Sequence, residues 1–568
     1  MSSRFEKIGS LFSRTDSIWL VLLYVTGVSA LEVCAYIFKG TFSAVASRVW
    51  LLGGAVCFVC SLGKIGAALR RDLRERFYWG FAAMGLVAVV TFWKLDSFDW
   101  FINGEAANQV RQALGHWGQR DLDYTGCAHF CYPSRQYLLA ALPTELFGRS
   151  IVTLRLSYSW MFFLSMLLFY VGLRQTVRGA ANSGYLAAIG MLSILTFGYV
   201  MFWLPQDQTI LPLSLTLAAT GWFLLLLVET GALAALCLSW IVALLATSYT
   251  TGLASWFLAI VLFVLAAVTR VRAGRRRDAA LFVLVIVLVV SFGLSSFITR
   301  GDVPLFGAAV AQRSLREAWP LIVTGYQGFF FSTLHWEGQV FMSPLWLLPL
   351  DFYLLTSLCG WNGTAHFVNA LWAIAVIGAG VYFQGYSSTG PDNELHRSMV
   401  VLPPLIAASL IIAGERLEAL HVALGRSAAA LLILLTIYAG WSFSRAHGAF
   451  LDTKNRKLFE ITQWALAIGK EQGIVNDPMD MYIFSHDDLN VQDYVLYFLP
   501  NLKSIVREDG QCFEKFDATK SAIIFYDDDR CDEQLRDLRK AHERFLELPI
   551  KYGLKGFVFI PAGRAPSA

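Results

Sequence analysis

Apolar residues in this chain fall into long, nearly unbroken runs rather than the short alternations of a soluble protein. A membrane-crossing helix needs about 20 mostly apolar residues. Runs of that kind lie at 17–38, 45–63, 77–93, 152–172, 183–203, 209–228, 231–247, 252–269, 279–298, 343–360, 366–384, 399–414 and 428–444. The pattern predicts an α-helical polytopic membrane protein of about thirteen transmembrane helices. Beyond the last run the pattern changes. From Met481 the short apolar stretches Met481–Phe484, Ser521–Tyr526 and Gly556–Ile560 read as strands, and polar Asp532–Phe545 reads as a helix. These make a small C-terminal α/β domain, joined through a helical segment at 446–470. The expected organisation is two N-terminal helices over 1–76, a helical core over 77–444 with long loops at 94–151 and 299–342, and a soluble domain over 445–568.

Composition agrees. Of 568 residues, 56% are hydrophobic and 15% charged, and the mean hydropathy is +0.52, which excludes an ordinary soluble globular chain. The first run lacks the short apolar core and small-residue cleavage site of a removable signal, so it is expected to stay as an anchor.

Charge orients the helices, because Lys and Arg concentrate in cytoplasmic connections. Arg4, Lys7 and Arg14 precede the first run, and Lys64, Arg70, Arg71, Arg74 and Arg76 follow the second. Arg174 and Arg178 follow the fourth, Arg270 to Arg277 the eighth, and Arg416 and Arg426 lie between the last two. With thirteen helices all fall on one side. The N-terminus is then cytoplasmic, and the long loops, 385–398 and the C-terminal domain face outward. The net charge of +4 is too small to suggest a nucleic-acid partner, and membrane lipids are the expected surroundings.

Of nine cysteines, five lie in apolar runs. Cys127 and Cys131 in the first long loop and Cys512 and Cys531 in the tail all fall on the outward side, where disulfides persist. They form two candidate pairs, with four free thiols as the alternative. Cys127-Ala-His-Phe-Cys131 lacks the second ligand pair that zinc spacing requires.

The polar loop from Lys94 to Arg155 holds most of the candidate chemistry. It contains Asp96, Asp99 and Gly104-Glu105, then Tyr132-Pro-Ser-Arg135, then Tyr137-Leu-Leu-Ala-Ala-Leu-Pro-Thr-Glu-Leu-Phe-Gly148, and runs into Thr153-Leu-Arg155. Further on come Phe202-Trp-Leu-Pro-Gln-Asp207 and His396-Arg397-Ser-Met-Val-Val-Leu-Pro-Pro. In this order the motifs resemble the C-type (GT-C) glycosyltransferase superfamily, in particular its protein mannosyltransferase and lipid A aminoarabinose transferase-like branch, over about residues 77 to 420. The family's adjacent Asp-Glu stands here as Gly104-Glu105, and its Lys before Pro-Pro-Leu as Tyr132 before Pro133-Ser-Arg135.

The resemblance implies an integral membrane glycosyltransferase. It would move a sugar from a polyprenyl-phosphate-linked donor to a glycan, lipid or protein acceptor of the cell envelope, on the outer face of a bacterial inner membrane. Such a transfer needs a carboxylate to take the acceptor's proton and cations or a metal ion to stabilise the departing phosphate. Glu105, Asp99, Asp207 and Asp96 are the candidate carboxylates, and Glu105 and Asp207 the candidate ligands of a divalent metal. Arg135, Arg155 and Arg397 are the candidate phosphate binders, suited by their planar fork of donors. Each has a plainer reading. Asp96 and Asp99 serve equally as interfacial charges, Glu105 as an acid favoured at a helix N-terminus, Asp207 as a loop acid, and Arg155 as a structural partner of Glu145. The loop 325–343, with His335-Trp336-Glu337, reads as a re-entrant or covering segment. Two other classes remain open: a flippase or transporter of a lipid-linked sugar, disfavoured because no pair of inverted broken helices is evident, and an O-antigen ligase or polymerase-like enzyme, disfavoured because the acidic loop comes early.

Overall fold

The structure is a computed structural model of the 568-residue chain. It describes residues 65–93, 140–176, 183–197, 348–363, 399–416, 422–451, 519–526, 531–541, 545–551 and 554–561, the strands 333–336, 339–342, 479–484 and 502–506, and single positions between them. The account below concerns those residues.

Eight helices have described bounds, and seven of them precede the tail. Those seven are α1 (Tyr78–Phe92), α2 (Leu142–Phe147), α3 (Ile151–Thr176), α4 (Ser183–Leu195), α5 (Leu348–Leu358), α6 (Leu402–Arg416) and α7 (Val422–Leu451). Helix α4 packs against α1, α3, α6 and α7, and α3 also touches α1, α2 and α6. Phe162, Met166, Phe169 and Tyr170 of α3, Ala187, Met191 and Leu192 of α4, and Leu405 and Ala408 of α6 form one buried core. A helix buried nearly all round suits the centre of a bundle, and α3 is such a helix.

Only α3, among the described residues, is both long and apolar enough to cross a membrane, while Tyr78–Phe92, Gly184–Leu195, Met399–Ala413 and Ala423–Tyr438 are shorter apolar helices. Each coincides with an apolar run of the sequence. The runs at 17–38, 231–247, 252–269 and 279–298 lie wholly or almost wholly outside the described residues. Helix α7 begins at Val422 and ends at Leu451, so it starts before the expected run 428–444 and continues beyond it into the segment expected to be helical at 446–470.

Helix α3 meets the helical positions at 216–224 through two glycines. A Cβ on Gly172 would stand 2.6 Å from the carbonyl oxygen of Gly221, and one on Gly221 would stand 2.6 Å from that of Leu168. Small residues at such a crossing let the two backbones touch, which is how helices associate where apolar burial gives no advantage over lipid.

Basic connections distant in sequence meet at one end of this bundle. The helical stretch 65–74 buries Ile65, Ala68 and Asp72 and exposes Arg70, Arg71 and Arg74. Asp72 accepts hydrogen bonds from Tyr170 OH (2.6 Å) and Arg174 Nε (3.1 Å), and Arg174 Nη2 pairs with Glu75 at 2.6 Å. The Arg174 guanidinium lies 5.3 Å from the Phe77 ring centre. Phe77 packs edge-on against Tyr185 at 5.1 Å, and Tyr185 OH accepts from Arg426 Nε at 3.0 Å. The sequence places Arg174 in a basic loop after the fourth span; instead it is a buried member of α3's last turn. Its helix continues past the apolar run because Asp72 and Glu75 compensate the charge. Outside the bundle segments Glu75 is held below the usual carboxylate pKa, first by its hydrogen bond from Arg71 and then by the charges of Arg174 and Arg71.

Two strands, β1 (Thr333–Trp336) and β2 (Gln339–Met342), form an antiparallel hairpin pairing Trp336 with Gln339 and Thr333 with Met342. The hairpin lies within the loop 325–343 that reads from sequence as a re-entrant or covering segment. A two-residue connection at 337–338 suffices to turn a hairpin, and four-residue strands leave too short an alternation to read. In the tail, β3 (Met479–Phe484), β4 (Leu502–Val506), β5 (Ser521–Tyr526), β6 (Phe545–Lys551) and β7 (Leu554–Phe559) form a sheet of order β4-β3-β5-β7-β6. The β4-β3-β5 pairs are parallel and the β5-β7-β6 pairs antiparallel. Helix α8 (Cys531–Ala541) covers one face, with Leu535 buried against Ala522, Ile524, Phe557 and Phe559. Phe545 opens β6 rather than closing the helix, since its ring belongs with Phe516 and Phe559.

Candidate functional site

The end of α3 remote from Asp72 is built by a short sequence with a definite local logic. Helix α2 starts with Pro143 in its first turn and stops at Gly148, whose φ of +81° and ψ of 178° suit only glycine. The Gly148 amide closes the turn on Thr144 O at 2.9 Å. Ser150 then caps α3: its Oγ accepts the Thr153 amide (3.1 Å), and Thr153 Oγ1 accepts the Ser150 amide (2.9 Å). This is the reciprocal logic of a capping box, with Thr in place of the usual Glu or Gln. Thr153 Oγ1 spends its own proton on Gly148 O at 2.7 Å. The chain therefore makes a sharp, fully bonded corner between α2 and α3.

Arginines gather at this corner. Arg155, within the first two turns of α3, is buried at 5% relative exposure. Its carbonyl accepts Ser159 Oγ at 2.7 Å. A buried guanidinium there has a large desolvation cost unless anionic or polar groups surround it. Arg149 stands in the corner and is exposed as a residue, while the atoms packed around its guanidinium lower its pKa, an effect to which the like charge of Arg111 adds and which Tyr497 and Glu145 oppose. Glu145 is exposed in the first turn of α2. Arg111 belongs to a helical segment that buries Ala107, Val110, Ala113 and Leu114, the periodicity of a helix docked by one face.

The corner is completed from far along the chain. Tyr497 is fully buried. Its hydroxyl lies 3.0 Å from Thr144 Oγ1, 3.4 Å from Thr153 Oγ1 and 3.4 Å from the Ser150 carbonyl. Its own carbonyl accepts Arg149 Nη1 at 2.7 Å, and its ring lies 5.9 Å from that guanidinium. Burial raises the Tyr497 pKa, so the phenol stays neutral.

Of the residues expected from sequence to carry chemistry, Arg155 is the one described in full. Glu105, Asp99, Asp96, Asp207, Arg135 and Arg397 lie outside the described residues, as do Cys127, Cys131 and Cys512; Cys531 opens α8. Leu204 and Ile210 on either side of Asp207, and Met399 two residues after Arg397, all belong to the buried core. Among the described residues no three His, Cys, Asp or Glu side chains cluster as a metal site; the candidate metal ligands Glu105 and Asp207 are not among them. Arg149, Arg111 and Tyr497 were not singled out from sequence. Arg149 follows the Leu-Phe-Gly motif directly, and that adjacency was the available signal; nothing local marks Tyr497.

No protein-family model matches this sequence, and no curated protein does. In three dimensions the chain is similar to ArnT from Cupriavidus metallidurans bound to undecaprenyl phosphate, with a TM-score of 0.50 and 13% identity over 86% of this chain and 99% of that one. The chain shares the GT-C fold. It is that of a membrane-embedded helical bundle, and it matches the resemblance carried by the motifs between Asp96 and Pro404. Apo ArnT from the same organism aligns with a TM-score of 0.49 at 15% identity, over 87% of this chain and 100% of that one. An apo oligosaccharyltransferase from Archaeoglobus fulgidus aligns at 0.41 and 12%, over 76% and 65%; neither of these two values adds weight.

Proposed function

We propose that this protein is an integral membrane glycosyltransferase that moves a sugar from a polyprenyl-phosphate-linked donor to a cell-envelope glycan, lipid or protein acceptor. The observation that supports it most is the alignment of nearly the whole chain with the fold of ArnT, a protein crystallised with undecaprenyl phosphate. The corner between α2 and α3 adds chemical support: Arg155, buried in the first turns of α3, and Arg149 at the corner supply positive charge suited to an anionic phosphate as it leaves the sugar. On this reading one of Glu105, Asp99, Asp207 and Asp96 removes the acceptor hydroxyl's proton as the oxygen attacks the anomeric carbon. The C1–O bond to the lipid phosphate breaks with its electron pair staying on phosphate. Arg135, Arg155 and Arg397 hold that phosphate, and a divalent ion on Glu105 and Asp207 would lend further positive charge.

The meeting of 65–76, Arg174 and Arg426 at one end of the bundle supports a cytoplasmic base. The corner then lies at the outer, periplasmic mouth of a bacterial inner membrane, with the tail above it. The number of positions from Arg155 to Arg174 is 174 − 155 = 19, or about 28 Å of helix at 1.5 Å per residue, close to the roughly 30 Å of a hydrocarbon core.

Purified protein incubated with radiolabelled polyprenyl phosphate sugars and membrane extract tests the reading. Wild type should consume one donor, and Glu105→Gln, Asp99→Asn or Asp207→Asn should abolish the transfer in at least one case. No consumption of any donor by wild type, or full activity in all three variants, refutes it. A parallel incubation with EDTA tests the metal.

A further inference from the structure

Residues 485–501 join two parallel strands, β3 and β4. Parallel neighbours require a crossover connection. Tyr497, which belongs to this connection, bonds into the α2–α3 corner, 344 residues from Thr153 and 353 from Thr144. A buried tyrosine needs a partner for its hydroxyl, and this one faces three: Thr144 in the first turn of α2, the capping threonine of α3 and the Ser150 carbonyl. Its backbone carbonyl meanwhile holds Arg149. The same residue thus bonds the helix before the Gly148 turn, the residue after it and the helix that carries Arg155. A tail merely resting on the bundle would need only an apolar contact; here the tail supplies polar groups that the corner would otherwise lack.

We propose that Tyr497 is a positioning residue, holding Arg149 and the first turn of α3 in the geometry the transfer reaction uses. The proposal rests on the glycosyltransferase reading for its kinetic consequence, though not for its structural one. Removing the hydroxyl loosens the Gly148–Thr153 turn. Removing the whole side chain also releases the ring from beside Arg149, which then samples positions unsuited to an anionic donor. The effect should appear in donor binding more than in turnover, since the groups that form and break bonds are untouched.

The test uses full-length protein in lipid nanodiscs and four forms: wild type, Tyr497→Phe, Tyr497→Ala and Thr144→Val. Hydrogen exchange followed by mass spectrometry over residues 142–156 is read alongside donor kinetics. Tyr497→Ala should speed exchange at the Gly148, Thr153 and Leu154 amides, and Tyr497→Phe should do so less. The donor KM should rise about fivefold in Tyr497→Phe, the loss of about one hydrogen bond, and further in Tyr497→Ala, with kcat within about twofold. Thr144→Val should resemble Tyr497→Phe, and combining the two should add little, because both remove one shared interaction. Unchanged exchange in Tyr497→Ala overturns the proposal whatever the activity. Faster exchange with unchanged KM in an active enzyme overturns the positioning role. A wild type that consumes no donor refutes the glycosyltransferase reading, while the exchange comparison still decides whether Tyr497 holds the corner.

Discussion

Asp72 offers the sharpest test of how the bundle is held together. Its carboxylate is fully buried, takes the Tyr170 hydroxyl at 2.6 Å and pairs with Arg174 at 3.1 Å, and the Arg174 side chain is itself only 6% exposed. Breaking a buried pair by deleting one partner costs roughly 3–5 kcal/mol, because a charge is left uncompensated. Here Glu75 remains 2.6 Å from Arg174 but is 44% exposed, so it offsets part of the loss. Asp72→Ala should therefore sit at the low end, about 3 kcal/mol. Tyr170→Phe removes a hydrogen bond to a charged group, about 2 kcal/mol. The double change Asp72→Leu, Arg174→Met removes both charges together, and replacing a buried pair by apolar residues is often neutral; it should lie within about 1 kcal/mol of wild type. Reversible unfolding in mixed detergent–SDS micelles, run as a double-mutant cycle, gives each value. A stability of Asp72→Ala within about 1 kcal/mol of wild type, or a double variant no better than the sum of Asp72→Leu and Arg174→Met alone, would falsify the view that the Asp72–Arg174 pair holds this end of the bundle.

Two further expectations follow from single residues. Gly172→Ala and Gly221→Ala each drive a methyl into the facing backbone at 2.6 Å, where no side chain can yield; each should cost about 1–3 kcal/mol in the same unfolding assay, and wild-type stability in both would show that the helices do not cross there. Cys359 is an exposed free thiol just after α5, on the cytoplasmic side in the proposed orientation. A membrane-impermeant maleimide should modify it only after spheroplasts are permeabilised, read as the labelling lost in Cys359→Ser; labelling of intact spheroplasts that Cys359→Ser abolishes would invert the orientation.

The helices were legible because a membrane segment leaves a long apolar signature: α1, α3 and α6 fall on their runs within a few residues, and α4 starts with its run at Ser183 but ends at Leu195, short of 203. The tail strands β3, β5 and β7 were legible as short apolar runs between turn residues. By contrast β4, as Leu502-Lys-Ser-Ile-Val, carries polar residues in its first half, and the β1–β2 hairpin is too short for its alternation to stand out. Arg174 was misplaced for a physical reason: a positive charge after an apolar run reads as a loop, and only the long-range approach of Asp72 shows it to be helical and buried. Tyr497 was invisible on the same ground, since its partners lie some 350 positions away. The Leu-Phe-Gly motif, however, did locate the corner, because the glycine is required by its backbone angles wherever that corner forms.

The two ends of α3 are held in different ways, and the difference bears on function. At the basic end, Asp72, Glu75, Tyr170 and Arg174 satisfy one another within the core and the helix just before it. Such a closed set is costly to open and shifts little. At the other end the cap residues Ser150 and Thr153 bond each other, yet Arg149 and the Thr144 hydroxyl depend on Tyr497 from the tail. Among the described residues the tail meets the corner through Tyr497, and a part held by few buried groups opens at a lower cost than a core does. On the proposed function, a bundle fixed at its base and completed by a separate segment at its mouth would admit a lipid-linked donor there without disturbing its packing. Substitutions at the base should accordingly change stability and leave the donor KM alone. Those at the corner should change the KM and cost little stability, and a common response at both ends would mean that α3 moves as one rigid piece.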